Sequence, residues 1–233
     1  MNKLKFLGRG SGYNTKEGNT SAYMVKNDTL LLIDCGEAVF KIIVEKNLVD
    51  GIKNVYILIT HMHSDHIGSL GSFIGFCYWK YKIVTRVYFY EKDKIRKFLE
   101  LLGLVENQSY IINDNENKRI NDLELEFVPS LTKHSKTVNT YSYTLKFDEG
   151  NDIFYSGDTC ETNFEVVPFL KEGNLIYHDT CLNDFSGNAH TSLRVLNEII
   201  PKEYRKQVYC MHIDGDNFVE KAEKEGFNVV DLS

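Results

Sequence analysis

Proline is scarce in this sequence: only Pro129, Pro168 and Pro201 occur in 233 residues. There is no Pro/Ser-rich linker, no low-complexity tract and no internal repeat, so nothing marks a domain boundary, and one domain over 1–233 is expected. No apolar run approaches the ~18 residues that cross a bilayer. The start, Met1-Asn2-Lys3-Leu4-Lys5-Phe6, moves into polar Gly-rich sequence without the apolar stretch of a secretory leader. The expectation is a cytoplasmic protein with no membrane partner. Cys35, Cys77, Cys160, Cys181 and Cys210 are odd in number and lack paired spacing, which speaks against a disulfide framework and for reduced, buried thiols. Excess positive charge is missing as well. A formal charge of −6 argues mildly against a broad nucleic-acid footprint, although a basic patch can sit on an acidic protein.

With 42% hydrophobic and 26% charged residues, the composition supplies a sizeable core. Strands are expected at Lys3–Leu7, Ser21–Lys26 and Thr29–Asp34, the last two joined by the turn Asn27-Asp28. Asn54–Thr60 reads as a strand buried on both faces, and Val84–Tyr90, Leu123–Val128, Thr140–Phe147, Asp152–Ser156 and Gln207–Met211 as further strands. Val39–Lys46, Lys94–Leu102, Leu193–Ile199 and Phe218–Glu225 carry helical spacing. Strands in both halves with helices between them fit an α/β protein of two mixed sheets under outer helices. The pattern leaves strand pairing open.

The strongest signal is Thr60-His61-Met62-His63-Ser64-Asp65-His66, directly after a buried strand. Imidazole and carboxylate donors suit Zn²⁺, with manganese or iron as alternatives. Chance is the bland reading, but with seven histidines in the chain it seldom places three in so short a window. Gly8-Arg9-Gly10-Ser11-Gly12 is a poor phosphate loop, because more turn residues follow it rather than a helix.

His61-x-His63-x-Asp65-His66 resembles the signature of metallo-β-lactamase-fold hydrolases, and the resemblance is closest to the tRNase Z-like branch. Leu7-Gly8-x-Gly10-Ser11-Gly12, Asn19-Thr20-Ser21, Ile33-Asp34-Cys35-Gly36-Glu37 and Ser156-Gly157-Asp158-Thr159 resemble further motifs of that branch. The resemblance implies an αββα sandwich of two mixed β-sheets flanked by helices, with two metal ions at one edge. It implies one ion on His61, His63 and His134, the other on Asp65, His66 and His212, and Asp158 bridging both. Locally, His134 lies in a polar loop, while Asp158 and His212 follow strands, where α/β layers place their sites. Taken singly, His134 or His212 would be an ordinary loop or core histidine. Cys160 could ligate zinc, but the adjacent Asp158 better suits a bridge. Flavodiiron relatives carry Glu where His63 stands, which argues against redox chemistry.

Two metals could serve a phosphodiester, a lactone or a β-lactam. His178-Asp179-Thr180 and His190-Thr191-Ser192 resemble the branch's carboxylate–histidine motif, in which the histidine protonates the leaving oxygen and the carboxylate orients it. Here Asp179 replaces the usual Glu, a shorter arm. A positioned imidazole contributes about 10²–10⁴-fold. The alternative for His190 is a residue just before a helix starting near Thr191. For His178 a buried, hydrogen-bonded histidine is the preferred reading. Asp65 is expected to orient the attacking water and accept its proton.

A single hairpin around Asp148-Glu149-Gly150-Asn151 separates His134 from Asp158, so there is no room for the tRNA-clamping arm of bacterial tRNase Z enzymes. The sequence therefore resembles arm-less phosphodiesterases of 3′,5′-cyclic nucleotides, such as the anti-Pycsar enzymes that destroy cyclic-pyrimidine signals. A small cyclic nucleotide is the expected substrate and RNA the alternative. A lactonase or a non-catalytic binding member stands behind both. Phe73, Phe76, Tyr78, Trp79 and Tyr81 could supply a base slot, although core or dimer contacts are the commoner use of such a run. The resemblance also implies a homodimer.

Overall fold

The computed structural model describes residues 1–113, 118–161 and 165–233. Two mixed sheets stack face to face, six- and seven-stranded among the described residues. The first runs β1 (Lys5–Gly8), β2 (Ser21–Lys26), β3 (Thr29–Ile33), β4 (Asn54–Leu58), β5 (Thr85–Tyr88) and β6 (Tyr110–Ile112) in sequence order. β1 to β3 pair antiparallel, and β3 to β6 pair parallel. The second sheet holds β7 (Arg119–Ile120), β8 (Leu125–Thr132), β9 (Thr140–Phe147), β10 (Ile153–Tyr155), β11 (Leu175–Asp179), β12 (Val208–Met211) and β13 (Asn228–Val229). Here β7 to β10 pair antiparallel and β10 to β13 parallel.

Strand alternation divides the core into three layers. Leu31, Ile33, Tyr56 and Leu58 point inward against Tyr143, Leu145, Tyr155 and Tyr177 of the facing sheet. Their neighbours Leu30, Leu32, Val55 and Ile57 point outward under α1 (Val39–Glu45), α3 (Leu70–Tyr81) and α4 (Lys92–Leu101), with the one-turn α2 (Ser64–Ile67) between α1 and α3 in the chain. On the other side Phe154, Ile176, Val208 and Cys210 lie under α5 (Val166–Lys171), α6 (Leu193–Ile199) and α7 (Phe218–Lys224). Both faces of both sheets are covered, and this is the expected αββα sandwich. Among the described residues no helix is long and apolar enough to cross a membrane.

Two expectations change. β8 runs to Thr132 rather than stopping at Val128. Phe127 N–H donates to the Lys118 carbonyl on the β7 side, so Pro129, two residues on, turns its missing donor to the same side. β7 pairs only with Leu125 and Glu126, so no ladder bond is lost there. β11, which the periodicity did not single out, lies centrally in the second sheet. The aromatic run lies on α3, where Phe73 is buried and Phe76 and Tyr81 pack against the same outer core.

Candidate metal centre

The sequence-predicted site residues gather along one edge of the sandwich, most of them just after strand ends. His61, His63, Asp65 and His66 follow β4, Asp158 follows β10, Asp179 ends β11 and His212 follows β12. His134 comes from the β8–β9 loop and His190 from the segment before α6, whose N-cap is Ser192. Two glycines make the turns. Gly157 takes φ +58 between Tyr155 and Asp158, and any side chain at Gly36 would collide with the Asp65 carbonyl. Asp34 and His212 also adopt left-handed backbone, with φ 61 and 55. That conformation is costly for a non-glycine residue and recurs at functional sites.

The donor atoms fall into two groups. His61 Nε2, His63 Nδ1 and His134 Nε2 converge, at 2.9 Å between the first two and 3.3 Å between the last two. In the second group, His66 Nε2 and His212 Nε2 each lie 3.3 Å from Asp65 Oδ2, and each also lies 3.3 Å from an oxygen of Asp158. Asp158 reaches the first group too, its Oδ2 standing 3.8 Å from His61 Nε2 and from His134 Nε2.

These separations fit a metal. Donors ~2.1 Å from a tetrahedral ion stand about 3.4 Å apart. His66 Nε2 is buried and has no hydrogen-bond partner among the described residues, which is the state of a nitrogen reserved for a cation. Burial works against protonating His66, yet Asp158 and Asp34 outweigh it and hold its pKa well above the usual histidine value. His212 is pushed up to about 10 in the same way, by Asp158, Asp179 and Asp65 against burial. The carboxylates demand positive charge at this point, and a divalent cation supplies it. The histidine/aspartate cluster therefore fits a divalent metal site.

Sequence reasoning assigned no role to Asp34. Fully buried, it accepts from His66 Nδ1 at 2.8 Å, from Thr60 N–H at 2.8 Å and from the Thr60 hydroxyl at 2.6 Å. It fixes His66 with Nε2 toward the cluster. Its only trace in the sequence was its place in the motif after β3. Asp179 Oδ2 accepts from His190 Nδ1 at 2.7 Å and from Thr159 N–H at 2.9 Å. Burial alone would lower the His190 pKa, but the Asp179 carboxylate raises it above the usual value. The His190 ring centroid lies 4.8 Å from that of His134 and 5.0 Å from that of His212, against both donor groups. His178 stands apart. It is buried on the outer face of β11, with Nδ1 donating to the Asp179 carbonyl.

The cluster forms the floor of a cleft of about 740 Å³. Three loops that line it are tied together: Ser11 N–H and the Asn14 side chain donate to the Ile213 carbonyl, and Asp214 accepts from Leu182 N–H and the Asn183 side chain. Tyr13 and Phe185 sit on these loops, 101% and 63% exposed. The α3 aromatics do not line the cleft; α3 packs on the outer face of the first sheet.

The sandwich and its cluster define a metal-dependent hydrolase of the metallo-β-lactamase fold. The metallo-β-lactamase fold protein YhfI from Bacillus subtilis matches with a TM-score of 0.73 at 17% identity, over 99% of this chain and 95% of that one. Within the class, the family model of the anti-Pycsar protein Apyc1 matches residues 2–230, and the chain belongs to that family. An anti-Pycsar protein Apyc1 of Bacillus phage vB_BveM-Goe7 is 30% identical, over 96% of this chain and 93% of the relative. A ribonuclease Z of Saccharolobus islandicus is 27% identical, over 79% and 78% of the two chains.

Proposed function

We propose that the chain is a two-metal phosphodiesterase that opens 3′,5′-cyclic nucleotides, cyclic pyrimidines among them, to 5′-monophosphates. The family membership supports this reading, and one observation carries it: a histidine held by a buried carboxylate stands against both donor groups. His61, His63 and His134 would hold one Zn²⁺, and Asp65, His66 and His212 the other. Asp158 serves both, and Mn²⁺ is an acceptable substitute. When bound, the ions neutralise phosphoryl charge and lower the pKa of the attacking water.

The chain's own residues do the rest. Asp65, partly open to the cleft, orients the water and accepts its proton as the water attacks phosphorus. With Nδ1 engaged by Asp179, His190 has Nε2 left to protonate O3′ as the P–O3′ bond breaks. His190 and Asp179 also lie within ligand reach of Asp158 and His212. The 2.7 Å bond between them nonetheless favours proton delivery over metal ligation. Tyr13 and Phe185 offer exposed rings on which a base can stack.

RNA processing is the second reading, supported by the ribonuclease Z relative and opposed by the short β9–β10 hairpin between His134 and Asp158. The proposal extends to one domain, a cytoplasmic location and a homodimer.

The test offers 3′,5′-cyclic CMP, UMP, AMP and GMP beside a 3′-extended tRNA precursor to the Zn²⁺-loaded protein. Ring opening to 5′-monophosphates, lost in Asp158→Ala, is expected. Cleavage of the precursor alone would move the assignment to RNA. Inertness toward both substrates in folded, metal-loaded protein would end the phosphodiesterase reading.

A further inference from the structure

Asp179 holds more than the proton donor. Its carboxylate is fully buried at the end of β11. Oδ2 is occupied by His190 Nδ1 and Thr159 N–H. Oδ1 has no hydrogen-bond partner of good geometry among the described residues, and neither has His212 Nδ1. These two atoms face each other at 3.4 Å.

The tautomer of His212 decides what that pairing does. Nε2 of His212 points at the oxygens of Asp65 and Asp158, 3.3 Å from each. A histidine that offers the Nε2 lone pair to a cation carries its proton on Nδ1. That N–H needs a buried acceptor, and Asp179 Oδ1 is the one it faces.

We propose that Asp179 is a shared positioning residue. One oxygen orients the proton donor His190, and the other fixes the ring and tautomer of His212 for the metal. One buried carboxylate would thus couple metal loading to delivery of the proton. This inference rests on the metal-centre reading above.

Asp179→Asn separates the two duties while nearly preserving shape. An amide offers one acceptor oxygen, which the two donors His190 Nδ1 and Thr159 N–H hold on their side. The NH₂ group then faces His212 Nδ1–H and cannot accept from it, so His212 loses its anchor. Zn²⁺ binding to apo-protein, measured by competition with a chromogenic chelator, should weaken about 10–100-fold at one site in Asp179→Asn. His190→Ala should leave that affinity within about 2-fold while turnover falls, because it removes a group that this scheme keeps off the metal.

Wild-type Zn²⁺ affinity in folded Asp179→Asn would overturn the shared role and leave the metal centre standing. An equal loss of affinity in His190→Ala would also overturn it, by making His190 a ligand. Absence of Zn²⁺ binding in the wild type would remove the metal centre itself. If Asp179→Asn does not fold, ¹⁵N-histidine spectra of Zn²⁺-loaded wild type decide. A protonated Nδ1 on His212, coupled to a metal-bound Nε2, is expected. The opposite tautomer would overturn the proposal.

Discussion

The two halves of the metal cluster are built differently. His61 and His134 are backed by neutral oxygens: His61 Nδ1 meets the Thr60 hydroxyl at 3.1 Å, and His134 Nδ1 donates to the Ala189 carbonyl at 3.0 Å. His66 and His212 face the buried carboxylates Asp34 and Asp179. Of the three donors in the first half, His63 and His134 are partly exposed, whereas in the second only Asp65 is. A carboxylate behind an imidazole raises its basicity and fixes its orientation more firmly than a neutral oxygen does. The second half is therefore the deep, electrostatically strong anchor, and the first half is the open side.

Asp158 spans the comparison, so its removal should do the most damage. Asp158→Ala should bring hydrolysis of cyclic nucleotides down by about 10³-fold or more, because charge neutralisation by the metals contributes several kcal/mol. Metal stoichiometry should fall in both halves; a variant that keeps two tightly held ions would contradict the bridge. Next comes His190→Ala, which leaves both halves intact and should lower kcat by about 10²–10⁴-fold. Unchanged kcat in that variant would remove the proton donor from the scheme.

Asp34→Asn breaks the asymmetry itself. It should weaken metal binding in the second half by about 10–100-fold. It should also cost about 1–3 kcal/mol of stability, since buried donors of Thr60 and His66 compete for a single oxygen. A chelator titration of the wild type sharpens the same point: the ion of the His61, His63 and His134 half should leave first. Mass spectrometry of partly stripped protein should show one retained ion that depends on His66 and not on His63. The reverse dependence would mean that backing charge does not set the order.

How far this architecture was legible depended on whether a residue's duty left a local mark. The His61–His66 cluster announces itself because ligands crowd after an apolar strand, whereas Asp158 and His212 come from the family resemblance, with their strand ends as local support. The burial of β4 on both faces follows from its continuous apolar run. Asp34 carried no such mark. Its partner His66 lies far along the chain, and its left-handed backbone is invisible in a one-dimensional pattern. β11 was missed because Leu175–Asp179 is short and ends in two polar residues whose burial only the assembled sandwich explains. The α3 aromatics serve the commoner use of such a run, core contact: Phe73, Phe76 and Tyr81 pack in the outer core. Their density marks packing under the first sheet, and the rings that border the cleft, Tyr13 and Phe185, are isolated in polar loops.

Those two rings carry the smallest predicted effect and the sharpest contrast with the floor of the cleft. They touch neither half of the cluster in the arrangement proposed, so Tyr13→Ala and Phe185→Ala should leave kcat and metal content unchanged. Each should raise KM for cyclic nucleotides about 5-fold, the lower end of what stacking contributes, since a rim open to water keeps much of a base solvated. The control is 1′-deoxyribose 3′,5′-cyclic phosphate, which keeps the ring to be opened and lacks the base. Its KM should not respond to either substitution. An equal rise for both substrates would show that the loops act by shaping the metal floor. Unchanged KM for every cyclic nucleotide would place the base against some other wall of the cleft.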